Sequence, residues 1–378
     1  MSEVNNLKNK IVVAMSGGVD SCVTALLLKE QGYDLVGVSM QVWDYRNHGE
    51  CNGKATCCAP DDFTDARMVA AKVGIPYYVF DFEDSFREKV IDNFVSKYQQ
   101  GLTPNPCIDC NNKVKFRELR ERAETFGCKK VATGHYARIE NDSEGNLRLL
   151  RGLDDNKDQS YFLYGVTPEE LTKSLFPVGH LTKPEVREIA AKAGLDVAEK
   201  PESQDICFVS GGVKNFLVKI GGKQPAGLIK NTAGQVLGEH DGIHGFTVGQ
   251  RRGIGISSEN PLYVIELNAK DKTVIVGDKK ELERESFLVN ELNIVNHNLY
   301  QKLKKQEFPF EFESMCQLRY RHDGVKCRVK VVSADECEVV FLDDWSTVSP
   351  GQAAVFYDLE NIEVLGGGRI QQSPLQSS

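Results

Sequence analysis

Residues 16–21, with the sequence Ser-Gly-Gly-Val-Asp-Ser, carry the clearest chemical pattern in the chain. The apolar, β-branched residues 11–15 before them predict a buried strand. The apolar spacing after them predicts a helix that ends at Gly32. A glycine-rich turn between a strand and a helix points free backbone N–H groups at one spot, where the helix dipole favours an anion. The sequence therefore predicts a phosphate site, with the Asp20 carboxylate as a candidate ligand of Mg²⁺ and the Ser21 hydroxyl as a phosphate donor.

This loop differs from two common phosphate-binding motifs. It has no lysine in the position required by G-x-x-x-x-G-K-[ST], and it does not match G-x-G-x-x-G. The structural alternative is an ordinary strand-to-helix turn without a ligand. The position of the hexamer between a predicted strand and a predicted helix favours the anion site.

Three cysteines lie in predicted loops, where a thiol is easier to reach than on a strand. Cys107 and Cys110 belong to the loop 102–112, and Cys207 belongs to the loop 198–212. A helix is predicted to start near residue 112, and its dipole would stabilise a thiolate at Cys110. The neighbouring lysines 113 and 115 add positive potential, so Cys110 is predicted to be the reactive member of its pair.

The spacing of Cys107 and Cys110 is also typical of a redox pair, of half a zinc site and of iron–sulfur ligands. The adjacent cysteines 57 and 58 do not supply the second spaced pair that a structural zinc site needs. A [4Fe–4S] cluster held by Cys107, Cys110 and Cys207 stays open as an alternative. Five other cysteines follow helix or strand patterns and are predicted to be buried as small hydrophobic residues: Cys22, Cys128, Cys316, Cys327 and Cys337.

Strands and helices alternate over the first 200 residues or so, which predicts an α/β fold with a parallel sheet. Ligands of such sheets bind beyond the carboxyl ends of the strands. This rule brings the loop 16–21, Met40, Gly134 and His135 to one edge. Short strands and glycine-rich turns dominate from residue 213 onward and predict two small β-barrel-like modules. We predict domains at 1–212, 213–285 and 286–378, with a loose tail after Ile370.

Composition narrows the class of protein. A chain of 378 residues, 41% hydrophobic and 26% charged, is typical of a soluble globular protein with two or three domains. The N-terminus has no apolar core, no apolar run of membrane-spanning length occurs, and the eleven cysteines are an odd number. These features predict a cytoplasmic protein with reduced thiols. The net charge of −8 argues against nucleic acid as a partner, but basic clusters at 113–122, 251–252 and 319–321 provide local positive surfaces.

The loop 16–21 resembles the SGGxDS loop of the ATP pyrophosphatases, and the full set of motifs resembles one family among them, the tRNA-specific 2-thiouridylases. The resemblance covers nearly the whole chain. The further segments that carry it are TPNPCIDCNNKVKF (103–116), ATGHYAR (132–138), LLRGLDDNKDQSYFLY (149–164), LFPVGHLTKPEVR (175–187), SQDICF (203–208), TVGQRRGIGI (247–256), RYR (319–321) and SPGQAAVFY (349–357). The resemblance implies a PP-loop domain of the adenine nucleotide alpha hydrolase type followed by two β-barrel-like domains.

The family resemblance also implies a reaction, the ATP-dependent 2-thiolation of the wobble uridine of tRNA. Adenylation of the uridine O2 releases pyrophosphate, and AMP is then a good leaving group. Cys207 matches the family cysteine that carries a persulfide, and Cys110 matches the cysteine that attacks this persulfide and ends in a disulfide with Cys207. A sulfur-donor protein, such as a cysteine desulfurase or a sulfur carrier, is implied as a partner. The residues that match ATP-binding positions are Ala14, Met15, Ser16, Gly17, Gly18, Val19, Asp20, Ser21, Met40 and Gly134.

Further matches concern the tRNA, whose target base must leave its stack to be reached. Asn105, Pro106 and Cys107 match the segment that contacts the base. Some family members have an aspartate, proposed as a general acid or base, where this chain has Cys107. The other positions that match tRNA contacts are His135, Lys157, Asp158, Gln159, Arg319, Tyr320 and Gln352.

Two other functions compete with this prediction. Ligation or amidation of a small metabolite, as in GMP or argininosuccinate synthetases, would use the nucleotide loop. It would leave the two loop cysteines and the two β modules unexplained. An RNA-binding protein without catalysis would be expected to have a degenerate nucleotide loop, whereas this loop is intact.

Overall fold

The computed structural model describes residues 10–43, 60–202, 206–209, 211–222, 225–343 and 345–372. The predicted features outside the described residues are the N-terminal segment 1–9, the segment 44–59 with its three cysteines, Gln204, Asp205 and the end of the tail. The chain forms two compact units. One comprises 1–90, 107–208 and 295–297, and the other comprises 91–106, 209–294 and 298–378. The domain boundaries at 212/213 and 285/286 stay predictions.

A parallel sheet forms the centre of the first unit. The strands of this unit are β1 (Lys10–Ala14), β2 (Asp34–Gln41), β3 (Tyr77–Asp81), β4 (Lys130–Ala132), β5 (Ala137–Asn141), β6 (Leu147–Arg151) and β7 (Ser174–Leu175). The sheet has the order β3-β2-β1-β4-β7, and β5 and β6 form a separate hairpin. In the parallel register Ile11 lies opposite Leu35 on one side and Lys130 on the other. Parallel pairing brings the carboxyl ends of β1, β2 and β4 to one edge, as the sequence predicts.

Helices pack beside this sheet. Val19–Glu30 packs against both Pro60–Val73 and Lys183–Lys192, and the three helices enclose an apolar core with β1. The shorter helices of this unit are Glu83–Phe86, Pro106–Asp109, Leu119–Ala123 and Pro168–Leu171. Wholly or mostly within the second unit are Asn93–Gln99, Val213–Gly221 and His297–Lys304. Wider π-type turns at Arg87–Asp92 and Cys110–Glu118 join neighbouring helical segments.

Three local predictions need correction. The sequence pattern predicts one strand over 130–139, but the structure divides it into β4 and β5. The pattern also predicts one amphipathic helix over 85–101, and the structure has a π-type turn within it. The predicted loop 102–112 is also too long, because the helix that follows it begins at Pro106 rather than near Asn112. Proline suits a first helical turn, since its φ angle is preset and its missing N–H would be unpaired there.

The second unit is built from strands, as predicted. They are β8 (Gly227–Asn231), β9 (Val236–His240), β10 (Tyr263–Asn268), β11 (Thr273–Gly277), β12 (Glu283–Arg284), β13 (Ser286–Ile294), β14 (Phe310–Gln317), β15 (Val325–Val331), β16 (Cys337–Phe341), β17 (Ser346–Thr347), β18 (Ala353–Tyr357) and β19 (Val364–Ile370). One sheet has the order β10-β11-β8-β9, and a closed barrel has the order β13-β16-β15-β14-β18-β19. The predicted fold class is confirmed.

Candidate functional site

The loop 16–21 leaves the carboxyl end of β1 and leads into the helix Val19–Glu30. The backbone N–H of Ser16 donates to Oγ of Ser21 at 3.1 Å, and this Oγ lies 3.0 Å from the carbonyl oxygen of Gly18, to which it donates. No side chain caps the helix at Gly18. The first turn therefore keeps backbone donors available at the positive end of the helix dipole, which suits a phosphate group.

Two glycines make the close packing of this loop possible. Gly17 has a φ angle of +73°, and a Cβ atom there would lie 2.3 Å from the carbonyl oxygen of Asp62. A Cβ atom on Gly134 would lie 2.7 Å from the backbone nitrogen of Ser21. The predicted nucleotide residue Gly134 therefore lies directly against the loop, where a side chain would displace it.

The other predicted nucleotide residues differ in exposure. The side chain of Ser16 is exposed, whereas Met15, Val19 and Ser21 are buried and belong to the packing of the loop. Met40, one residue before the end of β2, is half-buried at the same edge of the sheet. The half-buried residues are Ala14, Gly18, Asp20, Met40 and Gly134. Backbone groups and the Ser16 hydroxyl are therefore the available donors of the loop itself.

A buried lysine supplies the positive charge that the loop sequence lacks. Lys183, 7% exposed, is the first residue of the helix Lys183–Lys192. Its Nζ lies 2.7 and 2.9 Å from the two carboxylate oxygens of Asp20. Tyr136 donates its hydroxyl to the same carboxylate at 2.7 Å. The predicted magnesium ligand therefore already holds an ammonium ion, which a metal ion would have to displace.

Lys183 also reaches a second carboxylate. Its Nζ lies 2.8 Å from one carboxylate oxygen of Glu202, and Nζ of Lys157 lies 2.6 Å from the other. Burial raises the pKa of Glu202, but the hydrogen bonds from Lys157 and Lys183 outweigh it and lower this pKa to about 2. Glu202 is therefore ionised at neutral pH and binds two cations, one of which is the predicted tRNA residue Lys157.

A second lysine ties the glycine turn to the neighbouring helix. Nζ of Lys200 lies 3.2 Å from the carbonyl oxygen of Gly17 and 2.7 Å from a carboxylate oxygen of Asp62, and it also pairs with Asp65. Burial lowers the pKa of Lys200, whereas the two aspartates raise it further, with a net upward shift. Lys200 is therefore charged, and it links the loop at Gly17 to the two aspartates of the neighbouring helix.

The sequence prediction missed Lys183, Lys200 and Glu202. A signal was present at Lys183, because a cation in the first turn of a helix opposes the helix dipole. Such a local conflict indicates a partner from elsewhere in the fold. No comparable local signal marks Lys200, whose partner Gly17 is 183 positions away, or Glu202, whose partners Lys157 and Lys183 are 45 and 19 positions away in the chain.

The structure places the three candidate cysteines in the first unit. Cys107 is exposed, and Cys110 and Cys207 are half-buried. Because the helix begins at Pro106, Cys110 is its fifth residue, and the prediction that Cys110 lies at a helix N-terminus is wrong. Lys113, expected to add positive potential, lies 3.1 Å from a carboxylate oxygen of Asp109, which offsets its charge.

One helix connects the surroundings of Cys207 with the helix of Cys110. The ring of Phe208, next to Cys207, packs edge-on against Phe86, with centroids 5.7 Å apart. The helix Glu83–Phe86 in turn packs against Cys110–Glu118, where Ser85 donates to Glu118. Phe208, next to one candidate nucleophile, and the helical segment that begins at the other therefore pack against the same short helix.

The cluster alternative finds no support here. Within the described part of the chain, no three Cys, His, Asp or Glu side chains are grouped so that they could hold a metal ion. The prediction of buried structural cysteines is confirmed for Cys22, Cys128, Cys316, Cys327 and Cys337. Burial raises the pKa of Cys22 to about 12 and that of Cys128 to about 11, so both thiols stay protonated at neutral pH.

Several predicted tRNA residues have structural partners in the first unit. His135 is 8% exposed, and its Nδ1 lies 2.7 Å from Oγ1 of Thr133. Burial, followed by the charge of Lys115, holds the pKa of His135 well below its usual range, so the ring is neutral. Gln159 accepts the backbone N–H of Tyr136 at 3.0 Å.

Asp158 closes the turn after the β5–β6 hairpin. Its carboxylate accepts from Arg151 at 2.6 Å, from the N–H of Gly152 at 2.9 Å and from the hydroxyl of Ser160 at 2.9 Å. These bonds use both carboxylate oxygens, and the residue is buried. The carboxylate of Asp158 is therefore part of the fold, and its predicted contact with tRNA stays a prediction.

Replacing Asp158 with asparagine is expected to lower the free energy of unfolding by about 1–3 kcal/mol, because Arg151 loses its charged partner. Urea unfolding and filter binding of tRNA measure the two effects separately. The matched control is Asp155→Asn at an exposed position nearby, for which a change below about 0.5 kcal/mol is expected. Loss of tRNA affinity with unchanged unfolding would instead favour direct contact.

The remaining predicted tRNA residues belong to the second unit. Nε2 of Gln352 donates to the carbonyl oxygen of Thr103 at 2.8 Å, and the N–H of Thr103 donates to the carbonyl of Pro350 at 2.9 Å. These bonds hold the chain just before Asn105, which is half-buried, and Pro106, which is buried. Arg319 is exposed and Tyr320 is half-buried in a turn after β14.

Family models match the chain in three consecutive pieces. They are described as a tRNA methyl transferase HUP domain over residues 9–211, a tRNA methyl transferase PRC-barrel domain over 214–278 and an aminomethyltransferase β-barrel domain over 289–370. The first model alone covers more than half of the chain.

Curated relatives match over almost their full length. The chain is 48% identical over 367 residues to the tRNA-specific 2-thiouridylase MnmA of Geobacter metallireducens. The aligned residues cover 96% of this chain and 97% of the relative. It is 45% identical to the proteins of the same name from Geotalea uraniireducens and Rickettsia felis. Both alignments cover 98% of this chain, and they cover 96% of the Geotalea protein and 99% of the Rickettsia protein. With this identity and coverage, the chain belongs to the tRNA-specific 2-thiouridylase MnmA family.

Proposed function

We propose that the chain is a tRNA-uridine 2-sulfurtransferase that uses ATP to convert the wobble uridine of tRNA into 2-thiouridine. The observation that carries this proposal is the 48% identity, over 96% of the chain, to a relative named tRNA-specific 2-thiouridylase. The geometry supports it, because a phosphate-type loop and two candidate nucleophilic cysteines lie in one compact unit. A methyl transferase, as the family models are described, would not need this pair of cysteines.

The nucleotide loop has the features that ATP requires. The uncapped helix start at Gly18 and the close packing at Gly17 and Gly134 leave backbone donors for the phosphates, and Lys183 adds a positive charge beside Asp20. ATP is a substrate here, consumed as the uridine O2 attacks its α-phosphate and pyrophosphate leaves. We further propose that Mg²⁺ accompanies ATP, with Asp20 as its candidate ligand from the loop once the ammonium group of Lys183 has been displaced from that carboxylate.

Sulfur transfer then follows in two steps. The terminal sulfur of a persulfide on Cys207 forms a bond to C2, and the C2–O bond breaks as AMP leaves with its electron pair. The thiolate of Cys110 attacks the inner sulfur of Cys207 and breaks the S–S bond, whose electrons form the C=S group of the product. The enzyme ends with a Cys110–Cys207 disulfide, which a dithiol reduces before the next turnover.

The partners of this reaction are part of the proposal. The substrate is tRNA, and the target base is proposed to contact Asn105, Pro106 and Cys107. The exposed Arg319 and the half-buried Tyr320 are proposed as separate tRNA contacts. An arginine suits a phosphate, and a tyrosine ring suits an unpaired base. A cysteine desulfurase or a sulfur carrier supplies the persulfide, and the cytoplasm is the proposed compartment. No described helix has the length and apolar character needed to cross a membrane.

An anaerobic thiolation assay on unmodified tRNA tests the function. Iron-free protein with ATP, Mg²⁺ and a persulfide donor is expected to form 2-thiouridine, together with one AMP for each thiolated base. Cluster-reconstituted protein with sulfide is run in parallel. Product formed only with the cluster would overturn the persulfide relay, and absence of product from both would overturn the proposed function.

A further inference from the structure

A network of charged side chains joins the nucleotide loop to the segment that precedes Cys207. It runs from Asp20 through Lys183 to Glu202, with contacts of 2.7 Å and 2.8 Å. All of these residues belong to the first unit. Glu202 stands five positions before Cys207 and is the member of this network nearest to it in the sequence.

The helix Lys183–Lys192 holds the same segment at more than one point. Its Arg187 donates to the carbonyl oxygens of Ala198 and Lys200, the latter at 3.1 Å, and its guanidinium lies 4.0 Å from Glu202. The helix start is itself fixed, because the backbone N–H of Lys183 donates to Asp154 at 3.0 Å. The segment 198–202 is thus attached to a rigid element by backbone and side-chain bonds.

Unlike the carbonyl oxygens of Ala198 and Lys200, the carboxylate of Glu202 contacts two lysines from different parts of the chain. One oxygen accepts from Lys183, which holds the nucleotide loop, and the other accepts from Lys157 at 2.6 Å, beside the turn closed by Asp158. A carboxylate between two ammonium groups is strongly held, since each contact is charge-assisted. Loss of this charge would release both lysines from the segment.

We infer that Glu202 is a positioning residue that anchors the chain to the nucleotide loop five positions before Cys207, so that sulfur is delivered where the base is adenylated. This inference rests on the proposed function and extends it to the step between adenylation and sulfur transfer. Adenylation requires only the nucleotide loop, whereas sulfur transfer also requires that Cys207 be correctly positioned relative to that loop. Removal of the Glu202 charge therefore slows transfer and leaves adenylation in place.

The test separates the two steps in single turnovers at saturating ATP. Glu202→Gln keeps the shape of the side chain and removes its charge. ATP labelled at its α-phosphate is used, and the label incorporated into tRNA before persulfide is added measures adenylation. The 2-thiouridine formed after persulfide is added measures sulfur transfer. We expect adenylation within about twofold of wild type and transfer slowed by roughly ten- to a hundredfold. Glu202→Asp, which keeps the charge, is expected to restore part of the transfer rate.

The matched control is Glu170→Gln, which breaks the pairing of Glu170 with Arg120 at 2.7 Å in the same unit. It is expected to lower thermal stability and to leave the ratio of transfer to adenylation unchanged. The alkylation rate of Cys207, measured by mass spectrometry, gives a readout independent of turnover and is expected to rise several-fold in Glu202→Gln alone.

The outcomes distinguish the inference from the function on which it rests. An unchanged transfer rate in Glu202→Gln, or equal losses of adenylation and transfer, would overturn the role of Glu202 while wild type still forms 2-thiouridine. Failure of wild type to thiolate tRNA would instead remove the proposed function. A Glu202→Gln protein with Cys207 alkylated at the wild-type rate would also contradict the positioning role.

Discussion

Replacing Cys207 with serine is expected to lower the yield of 2-thiouridine by at least about a thousandfold, with tRNA affinity retained. A serine oxygen at this position cannot form a persulfide. The side chain is half-buried and similar in size to serine, and the neighbouring Phe208 keeps its contact with Phe86, so the fold should be preserved. Thiolated nucleosides measured by mass spectrometry, together with filter binding of tRNA, give the two quantities.

Cys110→Ser is expected to block the reaction one step later. The persulfide sulfur can still bond to C2, but no thiolate is present to break the S–S bond, so tRNA should remain linked to Cys207 through sulfur. A covalent protein–tRNA adduct in this variant, sensitive to added dithiol, would support the assigned order of steps. Free 2-thiouridine formed by either serine variant would refute the role of that cysteine.

Cys107→Ser provides the comparison within the same helix. Its exposed thiol is not one of the two nucleophiles of the proposed relay, so its loss should slow turnover without preventing the Cys110–Cys207 disulfide. Peptide mapping after one turnover without reductant reveals which cysteines are joined. A disulfide that contains Cys107 would reassign the attacking thiol.

The sequence was sufficient for the strand, turn and helix around residues 16–21, because each of these elements is encoded locally. The apolar run of β1, the glycines and the helix spacing lie within about twenty consecutive positions, and the structure confirms their arrangement. Parallel pairing then follows from the alternation of strands and helices, which is why the edge that holds Met40 and Gly134 was predictable.

The charged network was not predictable in the same way. Lys183 and Asp20 are separated by 163 positions, and Lys200 and Gly17 by 183. A single sequence contains no local pattern that pairs such residues, since charged side chains are usually solvated. The start of the Cys110 helix was misplaced for a different reason, because Pro106 was assigned to a loop although proline also suits a first helical turn.

Replacing Gly17 with alanine is expected to weaken ATP binding by at least about tenfold. The φ angle of +73° costs an alanine about 1–2 kcal/mol, and its Cβ would lie 2.3 Å from the carbonyl oxygen of Asp62. The loop must therefore move away from the helix Pro60–Val73. Lys200, which holds Gly17 and Asp62 together, then loses one of its partners. Isothermal titration with ATP and thermal unfolding measure the two consequences.

Gly74→Ala separates the effect of backbone strain from that of the close contact. Gly74 has a φ angle of +71°, almost that of Gly17, but no atom lies within 4 Å of the position that a Cβ would take. This variant is expected to lose about 1 kcal/mol of stability and to bind ATP like wild type. Equal losses of ATP affinity in both variants would mean that strain alone disturbs the site. ATP binding within about twofold of wild type in Gly17→Ala would contradict the assignment of this loop to the nucleotide, because the phosphates would then tolerate a displaced turn.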